Sequence, residues 1–211
     1  MTYVDAVRGR QRSGLLDCVT ARFEDAAPVR PFRWSRGERH FPGWYWSATT
    51  GRHVGFESWL ERDRLLLMDF DPGVVGIASQ PFWLYWHDGD RERRHAPDYF
   101  VRRADGSAVV VDIRADDRIK PKDTEAFETT RLACTQAGWR FERIGVPDAV
   151  LLANVRWLSR YRHTHGACTT KPGTGSGRSS RSRPRCCTGL MQPGIGLRRC
   201  PLCSICFGSR S

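Results

Sequence analysis

Residues 94–114 read Arg-His-Ala-Pro-Asp-Tyr-Phe-Val-Arg-Arg-Ala-Asp-Gly-Ser-Ala-Val-Val-Val-Asp-Ile-Arg, and this stretch predicts two strands joined by a tight turn. The runs at 99–101 and 109–111 are aromatic and β-branched, which is typical of strands. Asp105-Gly106 lies between them and favours a hairpin, because glycine tolerates the positive φ that such turns need.

Charged side chains stand at the ends of both predicted strands. Asp98 precedes the first strand, while Asp112 and Arg114 end the second, where alternation places both on one face. Two carboxylates and a guanidinium are costly to bury unless something binds them. Acidic oxygen ligands close together suit a hard cation such as Mg²⁺. The hairpin therefore predicts a candidate magnesium site.

Apolar patterning around the hairpin predicts a one-domain α/β fold. The predicted order is helix, three or four strands, helix, strand, helix, and the strand–helix–strand over 109–144 implies a crossover within a mixed sheet. Predicted helices cover 56–70, 124–137 and 149–158, the last capped by Asp148; predicted strands cover 43–47, 52–54, 74–78, 82–86 and 139–144. Glu57 and Glu61 share one flank of the first helix, where most glutamates are simply solvated.

Charge and composition divide the chain near residue 164. The formal net charge is +11, but residues 164–211 carry eight Lys and Arg and no acidic residue, which leaves +3 for residues 1–163. We predict an N-terminal arm over 1–40, with an incoming strand within 15–24, a central domain over 41–163, and a disordered basic tail over 164–211. The basic balance indicates a polyanionic partner.

The tail allows two further interpretations. It is rich in Arg, Gly, Pro, Ser and Cys, which GC-rich DNA tends to encode when read out of frame, so we hypothesise that the reading frame shifts near His163. The alternative is a zinc site built from cysteines 186, 187, 200, 203 and 206, although their spacing lacks two paired knuckles. Translation of the other two frames beyond His163 tests the frameshift.

Cysteine usage and hydropathy predict a cytoplasmic protein that does not enter a membrane. Residues 1–163 contain only Cys18 and Cys134, which is typical of a reduced compartment. The first residues lack the apolar core of a signal peptide, and no run approaches the ~20 apolar residues of a membrane span. Arginines at 30, 33, 36 and 39 interleave with Phe32 and Trp34, which suits either nucleic acid or a solvated arm with aromatic anchors.

Four features taken together resemble the PD-(D/E)xK nuclease superfamily, and more narrowly the TnsA-like endonuclease subunit of heteromeric transposases. They are the acidic helix with Glu57 and Glu61, the pair Pro97-Asp98, the triplet from Asp112 to Arg114, and the following helix–Gly138-Trp139–strand. They occur in the expected order over roughly residues 15–160. The resemblance implies a restriction-endonuclease-like mixed sheet flanked by helices, with the nuclease domain at 41–163.

The resemblance also implies a set of site residues. Glu57, Asp98 and Asp112 would ligate Mg²⁺, with Mn²⁺ as the alternative ion. Arg114 takes the position at which the superfamily prefers lysine, and arginine stays charged and cannot act as a base. Arg114 would instead hold a phosphate oxygen, while the metal acidifies the attacking water. Lys120 or Lys122 would be the stand-ins for the missing lysine.

The implied function is that of a Mg²⁺-dependent DNA endonuclease subunit of a heteromeric transposase, which hydrolyses a phosphodiester at transposon 5′ ends. Implied partners are double-stranded DNA at the transposon ends, a DDE-type transposase that cuts the 3′ ends, and an ATP-dependent regulator. Two alternatives stay open: a non-catalytic DNA-binding or scaffold subunit of that complex, and a PD-(D/E)xK nuclease of repair or restriction. In a chance resemblance, Asp98 and Asp112 would be ordinary turn and strand-end residues.

Overall fold

The computed structural model describes residues 1–32, 41–89 and 91–162, and within them it has a mixed α/β architecture. The strands are β1 (Thr2–Asp5), β2 (Gly9–Arg12), β3 (Gly43–Ser47), β4 (Arg52–Phe56), β5 (Val74–Ser79), β6 (Phe82–Asp88), β7 (Arg91–His95), β8 (Tyr99–Arg103), β9 (Ala108–Ile113) and β10 (Arg140–Ile144). The α-helices of this part of the chain are α1 (Trp59–Phe70), α2 (Pro121–Ala137) and α3 (Ala149–Arg162).

The central sheet is built on the predicted hairpin. Its strand order is β10-β9-β8-β5, in which β5, β8 and β9 are antiparallel neighbours and β10 runs parallel to β9. A parallel pair needs a crossover, and α2 supplies it between β9 and β10. Gly106 in the β8–β9 turn has a φ of +84°. The hairpin and the mixed sheet are thereby confirmed.

Helices cover the two faces of this sheet, and β9 lies between them with all six residues buried. On one face Ala108 and Val110 pack with Cys134 of α2; on the other, Val109 and Val111 pack with Leu65 of α1. A strand buried on both faces reads as a continuous apolar run, as β9 does. Alternation therefore directs the charged residue of this strand, at position 112, toward α2.

The N-terminal residues join a second sheet of order β2-β1-β6-β7. The strand predicted within residues 15–24 was wrong, because Leu16–Cys18 and Phe23–Asp25 form short 3-10 turns. A short apolar run cannot be assigned to strand or helix from periodicity alone. The Phe23 ring is fully buried, with its centroid 5.0–5.5 Å from those of Tyr3, Phe82, Phe100 and Trp139. Residues 1–32 thus contribute to the core.

Helix α1 begins three residues later than the periodicity predicts. Ser58 is its N-cap: the hydroxyl accepts a hydrogen bond from the Glu61 N–H (3.2 Å), and the Glu61 carboxylate accepts one from the Glu57 N–H (2.7 Å). The arrangement is similar to a capping box, except that the second hydrogen bond comes from the residue before the N-cap and not from the N-cap itself. The apolar Phe56 belongs to the end of β4. Glu57 consequently lies in the junction before the helix and not on it.

The other helix ends follow their sequence signals closely. Helix α2 starts at Pro121, where proline is favoured in a first turn, three residues before the predicted start. It ends before Gly138, whose φ is +72°, as predicted for a residue that stops a helix. Asp148 caps α3 by accepting a hydrogen bond from the Leu151 N–H (2.8 Å). Helix α3 runs to Arg162, four residues beyond its predicted end.

A buried carboxylate fixes the β3–β4 hairpin to α1. Asp69 accepts hydrogen bonds from the Ser47 hydroxyl (2.6 Å), the Thr49 N–H (2.9 Å) and the Tyr45 hydroxyl (3.0 Å). Burial alone would raise the pKa of Asp69, but these hydrogen bonds outweigh it and hold the pKa below its usual value. Burial and the Asp69 charge both raise the pKa of Tyr45.

Some predictions concern membranes or residues that the structure does not describe. Among the described helices none is long and apolar enough to cross a membrane. The predicted tail at 164–211, with its frameshift and zinc interpretations, lies outside the described residues, as do arginines 33, 36 and 39 with Trp34.

The first prediction concerns Asp69. Asp69→Asn replaces an ionised acceptor of several hydrogen bonds by an amide, and we expect it to lower the free energy of unfolding at pH 7 by roughly 3 kcal/mol. Because the folded pKa is depressed, the carboxylate's contribution is complete above its unfolded pKa of about 4 and is lost as the pH falls through the folded pKa. The difference from wild type, measured by urea unfolding, should therefore shrink below about pH 4. An equal difference at pH 3 and pH 7 would contradict this role.

Candidate functional site

An open cleft of about 760 Å³ lies where three segments of the chain meet. The β4–α1 junction contributes Glu57 and Glu61, the β7–β8 connection contributes His95 and Asp98, and the segment after β9 contributes Arg114. Three of the four predicted site residues therefore line one cleft. The fourth, Asp112, is buried and is not among the residues that line the cleft.

Asp98 stands at the floor of the cleft. The register of β8 with β9 pairs Tyr99 with Val111, so Asp98 falls opposite Asp112. One Asp98 carboxylate oxygen accepts a hydrogen bond from the Ile113 N–H (2.7 Å), and the Asp98 N–H donates to Asp112 (3.3 Å). The residue keeps partial exposure toward the cleft, although protein atoms closely surround its carboxyl group. Within the described residues no basic side chain pairs with it.

The electrostatic state of Asp98 follows from these surroundings. Burial, reinforced by the neighbouring carboxylates of Glu61, Asp112 and Glu57, raises the pKa of Asp98 well above its usual value. Burial disfavours the charged form, and like charges nearby add to that effect. Asp98 is thus an acid whose negative charge the protein leaves largely uncompensated. A cation or a proton is the natural partner of such a group.

The two glutamates at the start of α1 differ in what they contact. Glu57 pairs with Arg30 at 2.8 Å, whereas Glu61 accepts hydrogen bonds from the Glu57 N–H (2.7 Å) and the Ser58 hydroxyl (2.8 Å). Burial raises the pKa of Glu61, and the charge on Glu57 adds to the rise. Among the three carboxylates whose charge raises the pKa of Asp98, Glu61 contributes most and Glu57 least. The resemblance assigned the metal-ligand role at the start of this helix to Glu57. The sequence signal that pointed to Glu61 was the spacing Ser58-x-x-Glu61, which is typical of a helix N-terminus.

Asp112 is held by a histidine that no predicted motif included. The His95 Nε2 lies 3.0 Å from both carboxylate oxygens of Asp112, which is only 2% exposed and faces α2 as its strand position dictates. Burial, together with the Asp112 charge, raises the pKa of the Cys134 thiol on that helix to about 12. His95 stands three residues before Asp98 in the central stretch, and that proximity was the available signal.

Arginines form the walls of the cleft. Arg30, Arg94, Arg114 and Arg118 all line it. Arg114 is half exposed, and its Nε lies 3.9 Å from the Asp123 carboxylate, which is too far for a strong ion pair. The guanidinium carbon of Arg94 lies over the Trp83 ring, 4.6 Å from the ring centroid. Guanidinium groups bind phosphate oxygens through two parallel hydrogen bonds. Lys120 and Lys122, the predicted stand-ins, lie outside the described lining of the cleft.

Two of the predicted metal ligands, Glu57 and Asp98, line the cleft and Asp112 does not, and the oxygen atoms of the three do not converge. Across residues 1–32, 41–89 and 91–162, no group of three or more His, Cys, Asp or Glu side chains is arranged to hold a metal ion. The reason is visible in their contacts, since Glu57 turns to Arg30 and Asp112 to His95. Carboxylate oxygens fit a hard cation in kind, and Asp98 has charge to offer, but the arrangement fits only in part.

No protein-family model matches the chain, and no curated protein matches it at a significant level. The class that geometry defines is a mixed α/β domain with a cleft that, within the described residues, is lined by acidic side chains and by four arginines. Perturbed acids within a cleft indicate a functional site.

The second prediction follows from the raised pKa of Asp98. Its folded pKa lies above its unfolded value, so ionisation of this group destabilises the fold at neutral pH, and the penalty disappears below about pH 4, where the acid is protonated in both states. Asp98→Asn keeps an acceptor for the Ile113 N–H, and we expect it to raise the free energy of unfolding at pH 7 by about 1 kcal/mol.

The matched control is Asp105→Asn in the exposed β8–β9 turn. Hydrogen bonds from Ser107 lower the pKa of Asp105, so this variant should show no gain in stability. Unfolding in urea at pH 7 and pH 3.5 measures both. A loss of stability in Asp98→Asn at pH 7 would contradict the uncompensated charge.

Proposed function

We propose that this protein is a metal-dependent DNA endonuclease of the PD-(D/E)xK superfamily and serves as the TnsA-like subunit of a heteromeric transposase. The single observation that carries the proposal is Asp98: an acid of raised pKa, without a basic partner in the described structure, at the floor of an arginine-walled cleft. Catalytic sites concentrate perturbed groups of this kind.

The order of elements supports a restriction-endonuclease-like fold. Helix α1, the antiparallel strands β5, β8 and β9, helix α2 and the parallel strand β10 follow one another as the resemblance implies. Asp98, just before β8, faces Asp112 in β9, and both lie near the start of α1. Fold alone does not give a function, so the proposal depends on the site and not on the topology.

Each residue has a role in the proposed chemistry. Asp98, with Glu57 and Asp112, would hold Mg²⁺ or Mn²⁺, which when bound supplies an acidified water and charge stabilisation. For this, Glu57 and Asp112 must exchange their present partners, Arg30 and His95, for the ion.

The arginines act on the DNA. Arg114 and Arg118 line the cleft and would hold the oxygens of a phosphodiester and offset the negative charge that grows as the bond is hydrolysed. The DNA partner is then the double-stranded transposon end, cut at its 5′ strand. A DDE-type transposase and an ATP-dependent regulator are the proposed protein partners.

A second candidate is a non-catalytic DNA-binding or scaffold subunit of the same complex. Two observations favour it: the carboxylates of Glu57 and Asp112 are engaged by other side chains, and arginine stands at position 114 where the superfamily prefers lysine. This candidate keeps the cleft arginines for phosphate binding and gives Asp98 no part in hydrolysis.

The third prediction separates the two candidates. Supercoiled plasmid carrying transposon ends should be nicked by the wild-type chain with Mg²⁺ or Mn²⁺ and not with EDTA, and Asp98→Asn should lower the rate at least a hundredfold, since the variant lacks one metal ligand. The Asp105→Asn variant is the matched control and should nick as wild type does.

A binding measurement accompanies the cleavage assay. Mg²⁺ at millimolar concentration should raise the Tm of the wild type and not that of Asp98→Asn, because a ligand stabilises the state that binds it. Plasmid binding without nicking, and with no Tm shift, would establish the scaffold and overturn the enzyme. Nicking that survives Asp98→Asn would point to a different site.

The fourth prediction concerns Arg114. If its guanidinium holds the scissile phosphate, Arg114→Ala should lower kcat/KM for nicking by roughly 10- to 100-fold, the reduction expected when a hydrogen bond between charged groups is removed. Arg114→Lys should retain part of the activity, since it keeps the charge but not the two-pronged geometry. Arg131→Ala, on the exposed side of α2, is the control. Unchanged kcat/KM in Arg114→Ala would remove Arg114 from the mechanism.

A further inference from the structure

A second groove of about 600 Å³ lies beside the cleft, between β3, α1 and α3. The side chains that matter in it are two tryptophans and three arginines: Trp44, Trp59, Arg62, Arg156 and Arg160. We propose that this groove binds an unpaired DNA strand that continues out of the arginine-walled cleft, so that the preferred substrate is a junction of duplex and single strand. The second half of this statement depends on the proposed function; the binding itself does not.

The tryptophans supply faces for bases. Trp44 is 56% exposed and Trp59 is 53% exposed, which is high for side chains of this size. The guanidinium of Arg62 lies over the Trp59 ring, 4.7 Å from its centroid. Bases of an unpaired strand stack on exposed aromatic rings with little regard to sequence, and arginine adds to such stacks. Bases within a duplex are already stacked on each other and are not free to do this.

The charge of the groove selects a polyanion. Its lining, as far as the structure describes the chain, holds three arginines and no acidic residue. Asp63 is the nearby counter-charge: it binds Arg156 at 2.7 Å and lies 3.9 Å from Arg62. One carboxylate against three guanidiniums leaves a surplus of two positive charges. A strand of phosphates complements that surplus.

The chain's own C-terminal segment is a poor occupant by the same criterion. It follows α3 directly, but residues 164–211 contain eight Lys and Arg and no Asp or Glu. Like charges would oppose its entry into an arginine-lined groove. An external anionic chain is therefore the fitting partner.

The groove and the cleft are joined at one residue. Trp59, at the first position of α1, lines both of them. A strand whose phosphate lies among the cleft arginines would pass over this ring to reach Trp44 and Arg160. The position of the ring predicts that the unpaired strand is continuous with the strand that the cleft receives.

Fluorescence anisotropy of labelled dT12 with the full 211-residue chain, in EDTA, tests the binding without any nuclease step. Trp44→Ala and Trp59→Ala should each weaken binding roughly five- to 150-fold, the effect of removing one base-stacking ring. Arg160→Glu should weaken binding and lower the slope of log K against log salt by roughly 0.7 for each phosphate that the variant no longer neutralises. Binding of a 12-base-pair duplex should be much less sensitive to the two tryptophan substitutions, because its bases are already stacked on each other.

Two controls match these variants. Trp46→Ala removes a ring of similar exposure from β3, the strand that also carries Trp44, but outside the groove. Arg10→Glu makes the same charge change as Arg160→Glu, on β2 of the sheet β2-β1-β6-β7. Both keep the basic segment beyond residue 162, so its contribution cancels in the comparison. Both should bind dT12 as wild type does. Thermal melting confirms that each variant is folded, and exposed Arg160 keeps the test decisive should a tryptophan variant unfold.

The outcomes are distinct from those of the cleavage assay. Equal affinity of groove and control variants for dT12, or tryptophan variants that weaken duplex binding as much as they weaken dT12 binding, would overturn the proposal. Binding of labelled polyglutamate that Arg160→Glu weakens, with dT12 binding unaffected by the groove variants, would overturn it in favour of an acidic protein partner. Groove-dependent dT12 binding by a chain that nicks no plasmid upholds the groove and refutes only the enzyme.

Discussion

The pairing of β8 with β9 is the constraint on which the site depends. It places Asp98 opposite Asp112 at the end of a hairpin buried on both faces, next to the acidic start of α1. Burying carboxylates so close together is unfavourable unless each finds a partner. Asp112 pairs with His95 and Glu57 pairs with Arg30. Glu61 accepts a hydrogen bond from the Glu57 N–H just before α1. The Asp98 carboxylate accepts one hydrogen bond, from the Ile113 N–H. Because burial and the neighbouring carboxylates outweigh this bond, the pKa of Asp98 is raised.

Much of this fold follows from the sequence, because its signals are local and strong. Asp105-Gly106 predicts the hairpin turn, and Gly138 predicts the end of α2. The continuous apolar run of β9 predicts a strand that is covered on both faces. The errors arose where periodicity alone had to decide. The run at 15–24 became 3-10 turns because Phe23 is recruited by aromatic rings far along the chain, which no local pattern reveals.

The site was predictable in composition and not in detail. Glu57, Asp98 and Arg114 line one cleft, because the strand ends and the helix start meet at the same edge of the sheet. Sequence patterns could not show that the Ser58 hydroxyl caps α1 by accepting the Glu61 N–H. They also could not show that His95 contacts the Asp112 carboxylate. Those contacts depend on side-chain hydrogen bonds whose partners compete, and the competition is decided only in three dimensions. The same competition explains why the carboxylates do not converge on an ion in the described structure.

The most direct measurement is the titration of the Asp98 carboxyl carbon by NMR, with and without Mg²⁺. Metal binding favours the ionised form of its ligands and releases protons. We predict a pKa well above the usual value of about 3.9 in metal-free protein and a marked fall when Mg²⁺ is added. An ordinary pKa that Mg²⁺ leaves unchanged would contradict both the uncompensated charge of Asp98 and its part in a metal site.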